Sequence, residues 1–546
     1  MISLSHFRLA FLAIFCALPA YAQSPASVGE GKSAQRLVRA LIDNGLSFEQ
    51  NRDWVAAIQH YEGAVRSHPK DQELRRRLLI CRLHYDVIRR GGDSAIGGLV
   101  ADSDQAEAIE LYREILTRLE MSYVDVIDLA EVIRGGTAYL EVALTEPSFI
   151  ETHLEGRTQA EIESFRTSIH KLTLRNRIAT RSEAINIVQN AAKAAEQKIG
   201  LQPTATVIQF TLGAIALLDP YSSFLSASEL EEVESQIEGN FVGLGIALQP
   251  HSVPLKILNV IPGGPAEQAG MLAGDEIAEI GQIRCSDVGA ERAADMLRGP
   301  ENSHVRLLLH RGAEKKDLVI VRQRVEVPSV ERARILDEAA GVAYLKMSSF
   351  QKTTLNELDA ALWSLHRAGM KSLIIDLRGN PGGWLDASID VADRFLDSGR
   401  IVSTRGKNGI ENQNYNATRS GTWTLPLTLL INQESASASE ILAGAIRDNR
   451  RGEVIGETTF GKGSVQGLFH TKNLNCGIRL TVSKFYSPSG KAISELGVQP
   501  TLTVESEAAD PVHFVAKQEP RDVAATKKQD RVLEIARRRL LMAERP

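Results

Sequence analysis

Two short stretches carry residue types able to do chemistry together. The first is Ser435-Ala436-Ser437-Ala438-Ser439-Glu440, and the second is GETTFGKGSVQ, Gly456 to Gln466. Ser437 with Glu440 spells S-x-x-E, a capping box at a helix start. A serine at that place is also well presented as a nucleophile, because a helix N-terminus stabilises developing negative charge. The second stretch reads Gly-x4-Gly-Lys, a phosphate-binding loop up to its last letter. Gly463 stands where a magnesium-holding hydroxyl is needed, and Lys462 runs into the alternation of a hairpin (Ser464 to Phe469, then Ile478, Leu480, Val482) instead of a helix. Lys462 therefore reads as a base and not as a nucleotide ligand. A serine–lysine dyad needs a neutral amine, so the lysine must lie ~3 units below its free value, chiefly by desolvation. Flanking glycines let backbone pack against the amine, and Phe460 adds apolar cover.

These residues need a scaffold that brings position 437 to position 462. Ser372 to Leu377 is a short apolar run of strand length, followed by the turn Arg378-Gly379-Asn380-Pro381-Gly382-Gly383 and a helical pattern from Trp384 to Leu396. The unit recurs: Leu425 to Ile431 as strand, Asn432 to Ser435 as turn, Ala438 to Asp448 as helix, with Ala438, Ile441, Leu442, Ala445 and Ile446 on one face. Two such units set two helix N-termini near one sheet edge.

Upstream, Phe241-Val242-Gly243-Leu244-Gly245-Ile246 precedes a strand, and Gly264-Pro265-Ala266-Glu267-Gln268-Ala269-Gly270 and Ala273-Gly274-Asp275-Glu276-Ile277 follow. The pattern resembles a PDZ domain. Its loop, Gly243, Leu244, Gly245 and Ile246, would offer bare N–H groups to a peptide's terminal carboxylate, and the next strand would take the peptide as an added strand. Before it, residues 33 to 198 read as helix after helix. Leu41, Gly45, Phe48, Ala57, Tyr61, Ala64 and Pro69 fall at the offsets of a tetratricopeptide unit, with a degenerate copy around Ala108, Tyr112 and Ile115. A partner-binding surface and a helical spacer are both open readings of this region.

The bulk numbers bound the class. The chain has 546 residues, 43% apolar and 24% charged, which is ordinary globular composition. A formal charge of −5, from 63 basic and 68 acidic residues, argues against a nucleic-acid surface. MISLSHFRLAFLAIFCALPAYAQ reads as a secretory signal with an A-x-A site before Gln23, and no later run has the length of a membrane span. The expectation is export, to the periplasm or beyond the cell. Cys16 leaves with the signal, and Cys81, Cys285 and Cys476 form neither a disulfide framework nor a metal site. No cofactor or metal is called for.

From about Arg181 to Val504 the chain resembles a carboxy-terminal processing peptidase, or tail-specific protease. The resemblance rests on LDPYSS, the PDZ signature, DLRGNPGG, INQESASASEILAGAI, VIGETTFGKGSVQ and LTVSKFYSPSGKAI. It implies Ser437 as nucleophile, Lys462 as general base, Gln466 as the residue that hydrogen-bonds and orients the lysine, and the N–H groups of Gly383 and Ala438 as oxyanion hole. It also implies a multidomain α/β protein acting on protein substrates with accessible C-terminal tails. In order, the segments are a signal peptide (1–22), a tetratricopeptide-like helical region (23–180), a helical segment packing on the peptidase (181–237), a PDZ domain (238–325), a crotonase-like α/β core (326–505), and a polar linker with a C-terminal helix (506–546). Thr501 stands where the family usually has Asp. The other classes are a catalytically inactive scaffold binding C-termini and a Ser437–His470 hydrolase oriented by Asp448.

Overall fold

The computed structural model describes residues 30–173, 177–249, 252–407, 409–418, 422–494, 496–505 and 530–543. The signal-peptide segment and most of the linker after Val504 lie outside the described residues. Among those described, no helix is long and apolar enough to cross a membrane. Two compact units divide at Arg90 and Gly91, far upstream of the boundary expected near residue 180.

Among the described residues, the first unit holds three helices, Glu30–Gln50, Trp54–Ser67 and Gln72–Gly91. Ala57, Tyr61, Ala64, Leu74 and Cys81 are buried between them, with Leu41 and Phe48 packed at the margin. Gly45 is required by contact: a Cβ there would stand 2.2 Å from the Tyr61 ring. Tyr61 in turn donates to Glu49 at 2.6 Å, and Arg77 pairs with the same carboxylate at 2.9 Å.

In the second unit a helical layer comes first. The helix Pro203–Ala216 is buried along most of its length. It crosses Leu129–Ala143 at glycines, where a Cβ on Gly213 would lie 2.5 Å from the Gly135 carbonyl and 2.7 Å from Gly136 Cα. The helix Gln105–Ser122, carrying Ala108, Tyr112 and Ile115, packs on the same element and on Arg181–Ile199. That packing is why the compact unit begins near residue 91.

The PDZ segment hangs on a two-stranded ribbon of Asn240–Gly243 and Gln323–Glu326. Beyond it, strands Ile246–Leu248, Leu255–Val260, Glu276–Ile280, His304–Arg311 and Glu314–Val321 follow in that order across one sheet, with Ile246–Leu248 at the edge. Its core gathers Leu244, Ile257, Met271, Ile277, Leu307 and Ile320.

The α/β core is a six-stranded sheet ordered Val330–Asp337, Val342–Met347, Ser372–Asp376, Leu427–Ile431, Glu453–Gly456 and Leu502–Thr503, parallel after the first pair. Parallel strands are covered on both faces, so their residues partition with period two. Ala343, Leu345, Leu373, Ile375, Leu429 and Val454 face the helices Thr354–Arg367, Leu385–Asp393 and Ala438–Asp448. Val342, Tyr344, Ile374, Leu430 and Ile455 face the C-terminal helix Arg531–Ala543 through Val532, Ala536 and Leu540. A second, antiparallel sheet joins Ser223–Leu225, Gly477–Tyr486, Arg400–Gly406, Asn414–Asn416 and Ser464–His470. Cys81, Cys285 and Cys476 are buried free thiols.

The glycine crossing makes a stability prediction. Gly213→Ala forces backbone apart and should cost about 1–3 kcal/mol in urea unfolding. Gly97→Ala, on an open helix face with nothing within 4 Å, should be neutral or stabilising by up to about 1 kcal/mol. Equal midpoints for the two variants would mean that the crossing bears no load.

Candidate active site

Ser437 precedes the helix Ala438–Asp448 with φ 55° and ψ −113°. A non-glycine residue holds such angles only where its surroundings impose them. Here they do. Ala436 N–H donates to the Asn380 carbonyl at 3.0 Å, Ser439 Oγ donates to the same carbonyl at 3.0 Å, and Ser435 Oγ donates to the Leu377 carbonyl at 2.8 Å. The glycine turn closes over this segment. A Cβ on Gly382 would sit 2.8 Å from Ser437 Cβ, and one on Gly383 2.0 Å from the Phe350 carbonyl. Both glycines have φ above 100°. Asn380 Oδ1 accepts from Gly382 N–H at 2.8 Å, and Phe350 takes the turn's flanks as a β-bridge partner. Neither Gly383 N–H nor Ala438 N–H donates to any acceptor among the described residues, which leaves both for a ligand oxygen.

The capping box expected from Ser437 and Glu440 is present. Ser437 N–H donates to Glu440 Oε2 at 2.7 Å, and Glu440 N–H also goes to the Ser437 carbonyl at 2.9 Å. Glu440 is wholly buried and does more than cap. Thr459 Oγ1 (2.6 Å), Gly461 N–H (2.7 Å) and Lys462 N–H (2.9 Å) also donate to it. One carboxylate thus ties the backbone of Ser437 to that of Lys462. Burial pushes this carboxyl above the usual range, while the four donors favour its ionised form.

Lys462 lies in the irregular segment before the strand Ser464–His470, so the nucleotide reading has no helix to stand on. Burial lowers the pKa of its amine, the nearby Arg479 charge lowers it further, and Glu440 and Asp219 pull the other way. The Tyr221 ring covers the amine, with Nζ 5.1 Å from the ring centre. Among the described residues Nζ makes no ion pair. Tyr221 is placed by Asp219, whose Oδ1 accepts from the Tyr221 and Ser222 N–H groups at 2.8 and 3.0 Å and from Thr481 Oγ1 at 3.1 Å.

Among the described residues Gln466 makes no hydrogen bond to the lysine. Its Nε2 donates to Ser464 Oγ at 2.9 Å and lies 3.5 Å from Thr481 Oγ1. The orienting role implied by resemblance is not what this geometry draws. The carboxamide instead braces the strand that follows Lys462, and burial with Tyr221 overhead confines the amine. His470 pairs with Glu234 at 2.9 Å at the far end of its strand, ~20 Å along from Ser464. Asp448 ends the helix that Ser437 begins, ~15 Å away, and accepts from Arg447 and Ser489. A Ser437–His470–Asp448 arrangement does not assemble.

In the PDZ segment, Gly243 ends the ribbon and Leu244 is buried, its carbonyl accepting from Ala266 N–H at 2.8 Å. Gly245 has φ 78° and Ile246 opens the edge strand. The N–H groups of Leu244 and Gly245 donate to nothing among the described residues. Asp219, Tyr221, Asn380 and the hub role of Glu440 escaped individual assignment in the sequence. Asp219 and Tyr221 lie inside the LDPYSS motif, but nothing local shows that a segment over 200 residues upstream roofs the lysine.

Residues 341–504 match the model of peptidase family S41, and residues 256–311 match a PDZ domain. The carboxy-terminal-processing protease of Bartonella bacilliformis is 38% identical over 301 residues, 54% of this chain and 68% of that one. The carboxyl-terminal-processing protease of Synechocystis sp. is 35% identical over 310 residues, 56% of this chain and 71% of that one. A solved photosystem II D1 C-terminal processing protease aligns over 73% of this chain and 93% of its own, with TM-score 0.39 and 25% identity.

The lysine's surroundings fix a pH dependence. A base must be unprotonated, so kcat/KM should rise with pH through an apparent pKa below the ~10.4 of free lysine. Arg479→Gln removes a like charge and should move that apparent pKa upward. A profile flat from pH 6 to 9, or a downward move in the variant, would count against Lys462 as the titrating group.

Proposed function

Since the chain belongs to peptidase family S41, as a carboxy-terminal-processing serine protease with a PDZ domain, we propose that it cuts exported proteins near their C-terminal tails by a Ser437–Lys462 dyad. The observation that carries the mechanism is the Glu440 carboxylate, which holds Ser437 N–H and Lys462 N–H at 2.7 and 2.9 Å, while among the described residues the amine makes no ion pair.

The neutral Lys462 amine takes the proton of Ser437 Oγ as the oxygen attacks the scissile carbonyl. The oxyanion so formed lies against the N–H groups of Gly383 and Ala438, which are already fixed by the glycine turn and the helix start. Lys462 then gives its proton to the departing amine, and the C–N bond breaks to leave an acyl-serine. The neutral Lys462 amine then takes a proton from water as it attacks the ester, and as the ester C–O bond breaks the Lys462 ammonium gives that proton to Ser437 Oγ. The tail's carboxylate is held at Gly243 to Ile246, and the edge strand Ile246–Leu248 takes the preceding residues by strand addition. The reaction takes place in the periplasm, after removal of a signal peptide before Gln23. The helical unit of residues 30–90 offers a surface for an adaptor or partner.

Ser437→Ala and Lys462→Ala should each abolish cleavage of a tailed substrate, with losses of at least ~10⁴ in kcat, while His470→Ala stays within about twofold. Activity that survives Lys462→Ala would overturn the dyad.

C-terminal amidation tests the recognition step separately. Amidated tails should be cut far more slowly than free ones, in kcat as well as KM if docking at the loop activates the site, and in KM alone if it only tethers. Gly245→Val should mimic amidation, because the loop there runs at a positive φ that a β-branched residue resists. Equal cleavage of free and amidated peptides would leave the PDZ segment without this role.

A further inference from the structure

The C-terminal helix reaches the catalytic turn through one side chain. Asp530 stands immediately before Arg531–Ala543 and accepts from Arg378 Nη1 and Nη2 at 2.9 and 2.7 Å. Arg378 is the first residue of the turn that ends in Gly383. Its other edge, Nε and Nη2, donates to Asp376 at 2.9 and 2.6 Å. The guanidinium is therefore clamped between two carboxylates in fork geometry, the arrangement in which arginine is most directional. Asp376 is itself fixed in the sheet, 3% exposed and accepting the Tyr344 hydroxyl at 3.0 Å.

The two clamps differ in kind. Asp376 lies two residues from Arg378 on the same strand–turn segment, so that pair moves with the turn. Asp530 belongs to another element, whose position is set independently. Val532, Ala536 and Leu540 bury against Val342, Ile374, Leu430 and Ile455, and Arg539 pairs with Glu453 near the other end of the helix. Apolar contact docks the helix, and Asp530 aims Arg378. Burial would raise the Asp530 carboxyl, but the Arg378 charge and hydrogen bonds hold it below the usual range. Onward from Arg378, Gly379 N–H donates to Asn432 Oδ1 at 3.0 Å, and the Asn380 carbonyl receives Ala436 N–H and Ser439 Oγ beside Ser437.

We propose that Asp530 is a positioning residue of the reaction: through Arg378 it fixes the turn that presents Gly383 N–H to the oxyanion. This rests on the proposed use of Ser437 and Gly383. Asp530 touches no substrate, and its effect belongs to the transition state, where a small displacement of a donor is costly.

Asp530→Asn in the full chain should lower kcat about 10-fold with KM unchanged, less than the ~10²–10³ expected for loss of an oxyanion donor. Asp530→Glu should recover most of the rate, and Arg539→Ala, which cuts the ion pair at the other end of the helix, should leave kcat within about twofold. An unaltered kcat in Asp530→Asn would overturn the proposal. So would an equal loss in Arg539→Ala, because the helix would then act only by being docked. Cleavage that persists in Ser437→Ala would instead refute the site reading beneath it, an outcome distinct from the other two.

Discussion

The site depends on one buried carboxylate. Removing Glu440 from water is costly unless its lone pairs are met, and four donors meet them. Those donors come from two chain segments that share no secondary structure, the start of the nucleophile helix and the run from Thr459 to Lys462. A buried, fully satisfied acceptor of this kind has little freedom to give. Shifting either segment leaves an N–H without a partner in a dry place, at about 1–3 kcal/mol each. The carboxylate thus sets the spacing between the backbones of Ser437 and Lys462, the proposed nucleophile and base. The Ser437 carbonyl also takes Glu440 N–H at 2.9 Å, and the unusual backbone angles of Ser437 accompany that bond.

Around this hub the sheet supplies position and the glycines supply proximity. The two central parallel strands end side by side at Asp376 and Ile431, so the turns after them meet over the sheet edge, where open α/β sheets bind ligands. Only residues without a Cβ let the first turn lie on the segment around Ser437 and against Phe350, as the 2.8 Å clearance of Gly382 from Ser437 Cβ and the 2.0 Å clearance of Gly383 from the Phe350 carbonyl require. The Gly383 and Ala438 N–H groups are thereby left without an acceptor among the described residues, as the proposed oxyanion hole requires. The same logic holds at Gly245 in the carboxylate loop, with φ 78°.

What was legible in the sequence was local. The strand–turn–helix pair around DLRGNPGG and INQESASASE, the hairpin after Lys462 and the glycine loop of the PDZ segment each announce themselves by spacing within a dozen residues. Ser437 and Lys462 were nameable because each stands in such a punctuated stretch. The illegible part was long-range. Glu440 satisfies a helix cap so well that nothing marks it as the partner of residues 459 to 462. Tyr221 over Lys462, and Thr481 linking Asp219 to Gln466, depend on the antiparallel pairing of Ser223–Leu225 with Gly477–Tyr486, a register no local pattern encodes. Gln466 shows the converse risk: a role carried by resemblance is drawn differently by the carboxamide's bonds to Ser464 and Thr481.

The root of the PDZ segment lies close to the same turn. Its chain enters through Asn240–Gly243 and leaves through Gln323–Glu326, and these pair as one ribbon. At the base of that ribbon Gly239 packs so tightly that a Cβ would stand 2.6 Å from Gln351 Oε1, and Lys352 N–H donates to the Ile237 carbonyl at 2.9 Å. Phe350, the next residue back, brackets the oxyanion turn by accepting from Trp384 N–H at 2.8 Å and donating to the Gly382 carbonyl at 2.9 Å. Backbone hydrogen bonds between close-packed strands are short and directional, so a twist of the ribbon cannot be absorbed by side-chain rotation along this path. The loop from Gly243 to Ile246, where tail binding is proposed, sits directly on the ribbon's end. A tether would need only a flexible linker there, and glycine or serine runs would serve it. The close-packed connection suits a segment whose orientation matters to the turn, which is the physical reason to expect tail binding to be felt at Gly383 as well as at the docking loop.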